Sequence, residues 1–285
     1  MFGRSLIFCL IFLIVVDGTQ LLPKTPSKNR HSRLLGLLKR IKGRHSSSSS
    51  ASVVALAPAP PLDLSAKAAY NFAVDFGVSA SLSTLQCIYQ QGYNAVFIQV
   101  YGPANGGSVN NAGCQSVINS YSANLGTEIY ITPATSGKSG QQQFDEAFNA
   151  MKASGINVKS IWLQVTSPIN WPNNVQTNVN LIQSFINRAT SYGIRSGIYT
   201  NWYDWQQITG AYTGFQSARL WYWNALGQGP NAEAPANFDD FPVKQFALNE
   251  ALCGLTVNRD VYPQGTKAVA ELVKENDKPT VGGFV

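Results

Sequence analysis

The chain is expected to be an α/β protein built on a single irregular β/α barrel, and three observations predict it. Strand-like apolar runs with period-2 alternation take turns with amphipathic runs of helical period from Tyr70 onward. The repeat is roughly 30 residues long, the spacing of parallel strands joined by crossover helices. About eight strand-like segments lie between Tyr70 and Tyr262, enough to close a TIM-like barrel, with the helices after the fifth strand short or lost. A doubly wound open sheet is the competing architecture, but no glycine-rich dinucleotide fingerprint follows the first strand.

The elements follow in order. Strands are expected at 70–77, 95–101, 128–132, 160–167, 196–201, 219–224 and 243–248, with a last one around 255–257. Helices are expected at 82–91, 114–124, 141–153 and 175–192. Phe144, Ala147, Phe148 and Met151 recur at helical spacing, as do Val179, Ile182, Phe185, Ile186 and Ala189. Gly92, Gly155 and Gly193 stand where such helices should stop.

The segments before residue 67 are of another kind. Arg4 precedes an apolar run over 6–16 that is too short to span a bilayer, and small residues follow at Gly18 and Thr19. Residues 1–19 are therefore expected to be a secretory signal peptide, with the protein exported. Residues 20–66 read as a basic leader and a low-complexity linker, the latter a serine run over 46–50 and a Pro/Ala stretch. Within the leader, residues 33–45 suit either a propeptide or a cationic amphipathic helix for anionic surfaces, and the propeptide is the preferred reading.

Nine of the 21 basic residues lie before residue 45, leaving 12 against 13 acids from Lys67 onward. A nucleic-acid partner is not expected of a near-neutral body, nor is membrane insertion once the signal is removed. No histidine follows His45, so Ser-His hydrolase chemistry and histidine metal sites are not expected in residues 67–262, and neither a metal nor a cofactor is assigned. Cys87, Cys114 and Cys253 remain after the signal peptide, and one disulfide is expected, Cys87 with Cys114 or Cys87 with Cys253. Residues 263–285 read as an appended tail.

The two faces of the strands differ in chemistry. Phe72, Val74, Phe76, Val96, Ile98, Val100, Ile129, Ile131, Leu163 and Val165 should face the helices. The opposite face carries Asn71, Asp75, Gln99, Tyr101, Glu128, Tyr130, Thr132, Gln164, Thr166, Tyr199, Asn201 and Gln245, more polar and aromatic than an ordinary barrel interior. Such a wall suits a neutral ligand rich in hydroxyls and amides. Gln99, Tyr101, Tyr130, Trp162, Gln164, Thr166, Tyr199, Asn201, Trp221 and Gln245 are the candidate binding residues.

At VDFG (74–77), IWLQVTSPINW (161–171), GIYTNWYDWQQIT (197–209), LWYW (220–223), KQF (244–246) and CGLTVNRDVY (253–262), the chain resembles the secreted nematode lysozymes related to glycoside hydrolase family 25. The resemblance covers about residues 70–262 and implies an irregular β/α barrel that cleaves between N-acetylmuramic acid and N-acetylglucosamine in peptidoglycan, in defence or in bacterial digestion. The family's acid at the end of the first strand matches Asp75. Its Asp-x-Glu pair falls on Gln164 and Thr166, and its last aspartate falls on Asn258, two residues before Asp260.

Gln164 and Thr166 cannot deliver a proton at neutral pH. A catalytically silent barrel that binds peptidoglycan or another glycan is therefore the alternative to a hydrolase. The candidate catalytic residues are Asp75, with Asp204 or Asp260 as a second carboxyl; a 2-acetamido sugar can also supply its own nucleophile. Asp204 has a competing reading as the cap of a short helix over 205–209.

Overall fold

The computed structural model describes residues 56–57, 70–215, 218–224, 243–263 and 278–284. The expected signal peptide, the basic leader and the serine run lie outside them. The chain runs β1 (Tyr70–Phe76), α1 (Leu82–Gln90), β2 (Ala95–Gly102), β3 (Ser108–Val109), α2 (Asn111–Ser122), β4 (Gly126–Ile131), α3 (Gly140–Ala153), β5 (Asn157–Val158), β6 (Ser160–Gln164), α4 (Val175–Ser191), β7 (Arg195–Thr200), α5 (Trp202–Thr209), β8 (Arg219–Trp223), β9 (Val243–Leu252), β10 (Leu255–Pro263) and β11 (Thr280–Val281).

Helix starts follow from capping chemistry. Ser81, Asn110, Ser139 and Asn174 each accept a backbone N–H of the first turn of α1, α2, α3 and α4, and Ser139 forms a reciprocal capping box with Gln142. Gly92, Gly155 and Gly193 leave the helices at φ 91, 75 and 72, where a Cβ would be strained. Because Asn110 caps α2, that helix begins at Asn111, ahead of the expected Cys114.

Eight strands close the barrel in the order β1, β10, β9, β8, β7, β6, β4, β2, with β2 pairing back onto β1. Seven of the strands, β9 included, run in the parallel sense that the strand-helix repeat predicts. The eighth departs from it. β10 is antiparallel to both β9 and β1 and continues to Pro263, well beyond the expected end at Val257. The cause is a tight hairpin in place of a crossover helix: Cys253 and Gly254 both take positive φ, 50 and 82, as a two-residue turn between twisted strands requires.

That turn is tied to the end of α1 by a Cys87–Cys253 disulfide, while Cys114 is a buried free thiol. Of the two expected pairings, the structure takes the second.

The outer core lies between strands and helices. Val74, Val96, Ile98, Ile129, Leu163 and Val165 are fully buried there against Leu85, Val117, Phe144, Met151, Ile182 and Phe185 of the helices. Burial of each such side chain contributes about 1.5–3 kcal/mol.

The inner core carries aromatic side chains expected of the inward strand face and adds Phe97, Tyr262 and Phe284 to them. Its cluster holds Phe97, Tyr130, Trp162, Tyr199, Trp221, Tyr262 and Phe284, so much of the interior is aromatic. Gly197 makes room for one of these rings, since a Cβ there would stand 2.3 Å from the Trp162 indole. Trp162 donates its indole N–H to Glu128 at 2.8 Å. Burial pushes the Glu128 carboxyl up to about 8, against the opposing effects of the Trp162 and Phe284 N–H donors and the positive charge of Arg195.

The final residues complete the wall. β11 pairs in parallel with β5, Gly282 donates its N–H to the Thr127 carbonyl at 2.9 Å, and Phe284 donates its N–H to Glu128 at 3.1 Å. The Phe284 ring lies against Phe97 and Tyr262 at 5.7 and 4.7 Å between centroids.

Candidate active site at the strand ends

Asp75 stands one residue before the end of β1, on the inner face and 2% exposed. Its Oδ2 accepts from Gln245 Nε2 at 2.6 Å, and its Oδ1 accepts from Asn258 Nδ2 at 2.9 Å. Both donors are held from behind. Tyr199 donates its hydroxyl to Gln245 Oε1 at 2.9 Å, and the Asn249 backbone N–H donates to Asn258 Oδ1 at 3.1 Å. Neither amide can turn over without breaking a second bond, so each presents its NH2 to Asp75.

Asp260 lies on the same face. In the β1–β10 register it opposes Ala73, while Asp75 opposes Asn258, which makes the two aspartates diagonal neighbours on antiparallel strands. Asp260 is wholly buried, and its Oδ1 accepts from Trp221 Nε1 at 2.8 Å. Burial pushes Asp75 up to about 6 against the hydrogen bonds from Asn258 and Gln245. Burial and then the negative charge of Asp75 push Asp260 well above the carboxylate range.

Aromatic rings surround this pair. Tyr199 stacks on Trp221 with centroids 4.0 Å apart, and Tyr130 meets both edge-on at 6.3 and 5.7 Å. Burial raises the Tyr130 and Tyr199 phenols well above their usual range, which keeps them protonated and able to donate.

A second network crosses the ends of β2, β4 and β6. Gln99 Nε2 donates to Thr132 Oγ1 at 2.6 Å, the Thr132 hydroxyl donates to Gln164 Oε1 at 2.5 Å, and Gln164 Nε2 donates to Thr166 Oγ1 at 3.0 Å. All four side chains are partly exposed, so they can exchange these bonds for a ligand's hydroxyl or amide groups. None of the four ionises near neutrality. Asn110 anchors one end of the row by donating to the Gln99 carbonyl at 3.0 Å.

Asp204 occupies the third position of α5 and is 3% exposed. Its Oδ2 accepts from Trp223 Nε1 at 3.1 Å and from the Ser167 backbone N–H at 3.3 Å; burial nonetheless raises its carboxyl above the usual range. The cap of α5 is Asn201, whose Oδ1 accepts the Asp204 N–H at 2.7 Å, so the helix starts at Trp202 and not at the expected Trp205. Asp204 therefore joins the loops after β6 and β7 to the end of β8 instead of capping the helix.

The structure thus gathers Asp75, Asp260, Gln245, Tyr199, Trp221 and Tyr130 into one group, and Gln99, Gln164 and Thr166 into another. Four expected residues lie in neither group: Asn201 and Asp204 at the start of α5, and Tyr101 and Trp162. Tyr101 leaves the inner face because the β2–β4 register slips between Gln99 and Tyr101; its hydroxyl donates to Glu146 of α3 at 2.7 Å. Trp162 packs within the inner core and bonds Glu128. Thr132 and Asn258 are not among the candidate site residues, although they complete the two networks. Their signal is period-2 continuity with Tyr130 and with Asp260.

No described helix is long and apolar enough to cross a membrane. No group of three or more His, Cys, Asp or Glu suited to a metal ion occurs among the described residues.

Fold and site define a β/α barrel with a buried aspartate pair and a row of neutral polar side chains at its strand ends. The profile of the lysozyme-like protein 1 family matches residues 66–248, and the chain belongs to that family. It is 47% identical over 240 residues to lysozyme-like protein 7 of Caenorhabditis elegans, covering 80% of this chain and 83% of that one. It is 28% identical over 193 residues to a probable GH family 25 lysozyme 2 of Dictyostelium discoideum, covering 67% and 90%. The bacterial lysozyme of Streptomyces coelicolor shares the fold, with a TM-score of 0.55 at 17% identity over 69% of this chain and 94% of that one.

Proposed function

We propose that the protein is a secreted, lysozyme-like glycoside hydrolase that acts on bacterial peptidoglycan, with Asp75 as its principal acid. The observation that carries this reading is the setting of Asp75: a buried carboxyl raised to about 6, held by two oriented amides, beside a row of neutral donors and acceptors suited to an amide-bearing sugar. A group titrating near 6 can hold and release a proton under mildly acidic conditions. Membership of a lysozyme-like family supports the substrate class. The bond to be cut is the one between N-acetylmuramic acid and N-acetylglucosamine, in defence or in bacterial digestion. The apolar run near Met1 and the Cys87–Cys253 disulfide support export to an oxidising compartment.

A second reading has its own observation. Gln164 and Thr166 bond one another where the resemblance places an Asp-x-Glu pair, which favours a barrel that binds glycan without turnover. Release of reducing ends from purified peptidoglycan, measured for the wild type and for a Gln164→Asp/Thr166→Glu variant, separates the two. Turnover by the wild type supports hydrolysis. Retained binding with turnover only in the variant supports the binding module.

A further inference from the structure

We infer that Asp75 and Asp260 hold one proton between them, with Asp260 as donor and Asp75 as acceptor, so that Asp260 is the positioning residue that sets the protonation state of Asp75. The meaning of this pair for catalysis rests on the hydrolytic reading above; the pairing itself does not.

Asp75 accepts an oriented amide N–H on each oxygen, the pattern of an ionised carboxylate. Asp260 accepts on Oδ1 from Trp221, and its Oδ2 is buried with no donor among the described residues. A buried carboxylate oxygen without a donor is costly, whereas a carboxyl oxygen that carries the proton is itself a donor and needs an acceptor. Asp75, its diagonal neighbour on the same face of β1 and β10, is the acceptor that the geometry assigns.

The surroundings enforce a single proton. Among the described residues, the other ionisable groups that face the pair are the phenols of Tyr130 on β4 and Tyr199 on β7, both neutral. Trp221, Gln245 and Asn258, from β8, β9 and β10, contribute uncharged donors. Two adjacent carboxylates in such a site cannot both ionise, so protons leave in two coupled steps. The first leaves the pair with one proton on Asp260; the second comes off only at much higher pH.

The test is a titration of the full chain carrying 13Cγ-labelled aspartate, which excludes Glu128 from the signal. The Asp75 and Asp260 resonances are assigned with Asp75→Asn and Asp260→Asn and followed from acid to alkaline pH. The expected result is that Asp260 stays protonated at neutral pH, that each resonance responds at both midpoints, and that Asp75→Asn lowers the Asp260 midpoint by about one pH unit or more. Independent titration of both groups near the ordinary aspartate value of about 3.9, or an Asp260 midpoint unmoved by Asp75→Asn, overturns the inference. Should a variant fail to fold, the wild-type curves decide, because coupling shows in both of them. A chain that shows coupled titration but never cleaves glycan refutes the hydrolytic reading alone.

Discussion

Phe284 donates its backbone N–H to Glu128 at 3.1 Å, although 156 residues separate them. The same carboxyl accepts the Trp162 indole N–H through its other oxygen, so one buried acid joins the end of the chain to the barrel interior. The Phe284 ring is 2% exposed and packs on Phe97 and Tyr262. Phe284→Ala should therefore destabilise the fold by about 3–5 kcal/mol, read as a lower urea midpoint with an unchanged slope. A loss below about 0.5 kcal/mol would show that the ring does not complete the core.

The pH dependence of stability follows from the buried acids. Glu128 ionises near 4.5 when fully hydrated and at about 8 in the fold; Asp75 moves from 3.8 to about 6. The folded state therefore holds more protons than the unfolded chain between these values, and stability falls as pH rises through them. The contribution is fully present below the unfolded values and lost by about pH 8. Denaturant unfolding at about pH 4.5, 6 and 8 should show declining stability, and Glu128→Gln should flatten the decline above about pH 6. A wild type most stable at the alkaline end of this range contradicts the assignment.

The Cys87–Cys253 bond closes the barrel's hairpin onto α1 across 166 residues of sequence. Replacing both cysteines with serine should cost about 2–5 kcal/mol. Cys114, buried beside Met151, should resist thiol reagents in the native protein and react only after unfolding. Rapid native labelling would place that thiol at the surface instead.

Tyr101 offers a test of strand register. Because its hydroxyl bonds Glu146 on the helix side of β2, Tyr101→Phe should cost about 1 kcal/mol of stability and leave glycan affinity unchanged. A selective loss of affinity would return Tyr101 to the inner face.

The sequence is readable where a strand has one face against helices, and there period-2 alternation places Val96, Ile98, Leu163 and Val165 in the outer core. The same rule misplaces Tyr101, since one extra residue in β2 inverts every later side chain and leaves no mark in composition. Alternation also gives Asp75, Gln99 and Gln164 a common face, but not their division into two networks, which depends on register between strands distant in sequence. The antiparallel course of β10 is hidden in two residues, Cys253 and Gly254, whose positive φ turns the chain back. The part played by Phe284 is hidden because a lone aromatic near a terminus has no period.

The most direct test of Asp75 as the acid is the rate of reducing-end release from peptidoglycan at mildly acidic pH by the wild type and by Asp75→Asn. If Asp75 supplies the proton, the substitution should lower the rate on the order of 10²-fold or more while leaving binding to insoluble peptidoglycan in place. Equal rates in the two proteins, or no release by a folded wild type, would contradict that role.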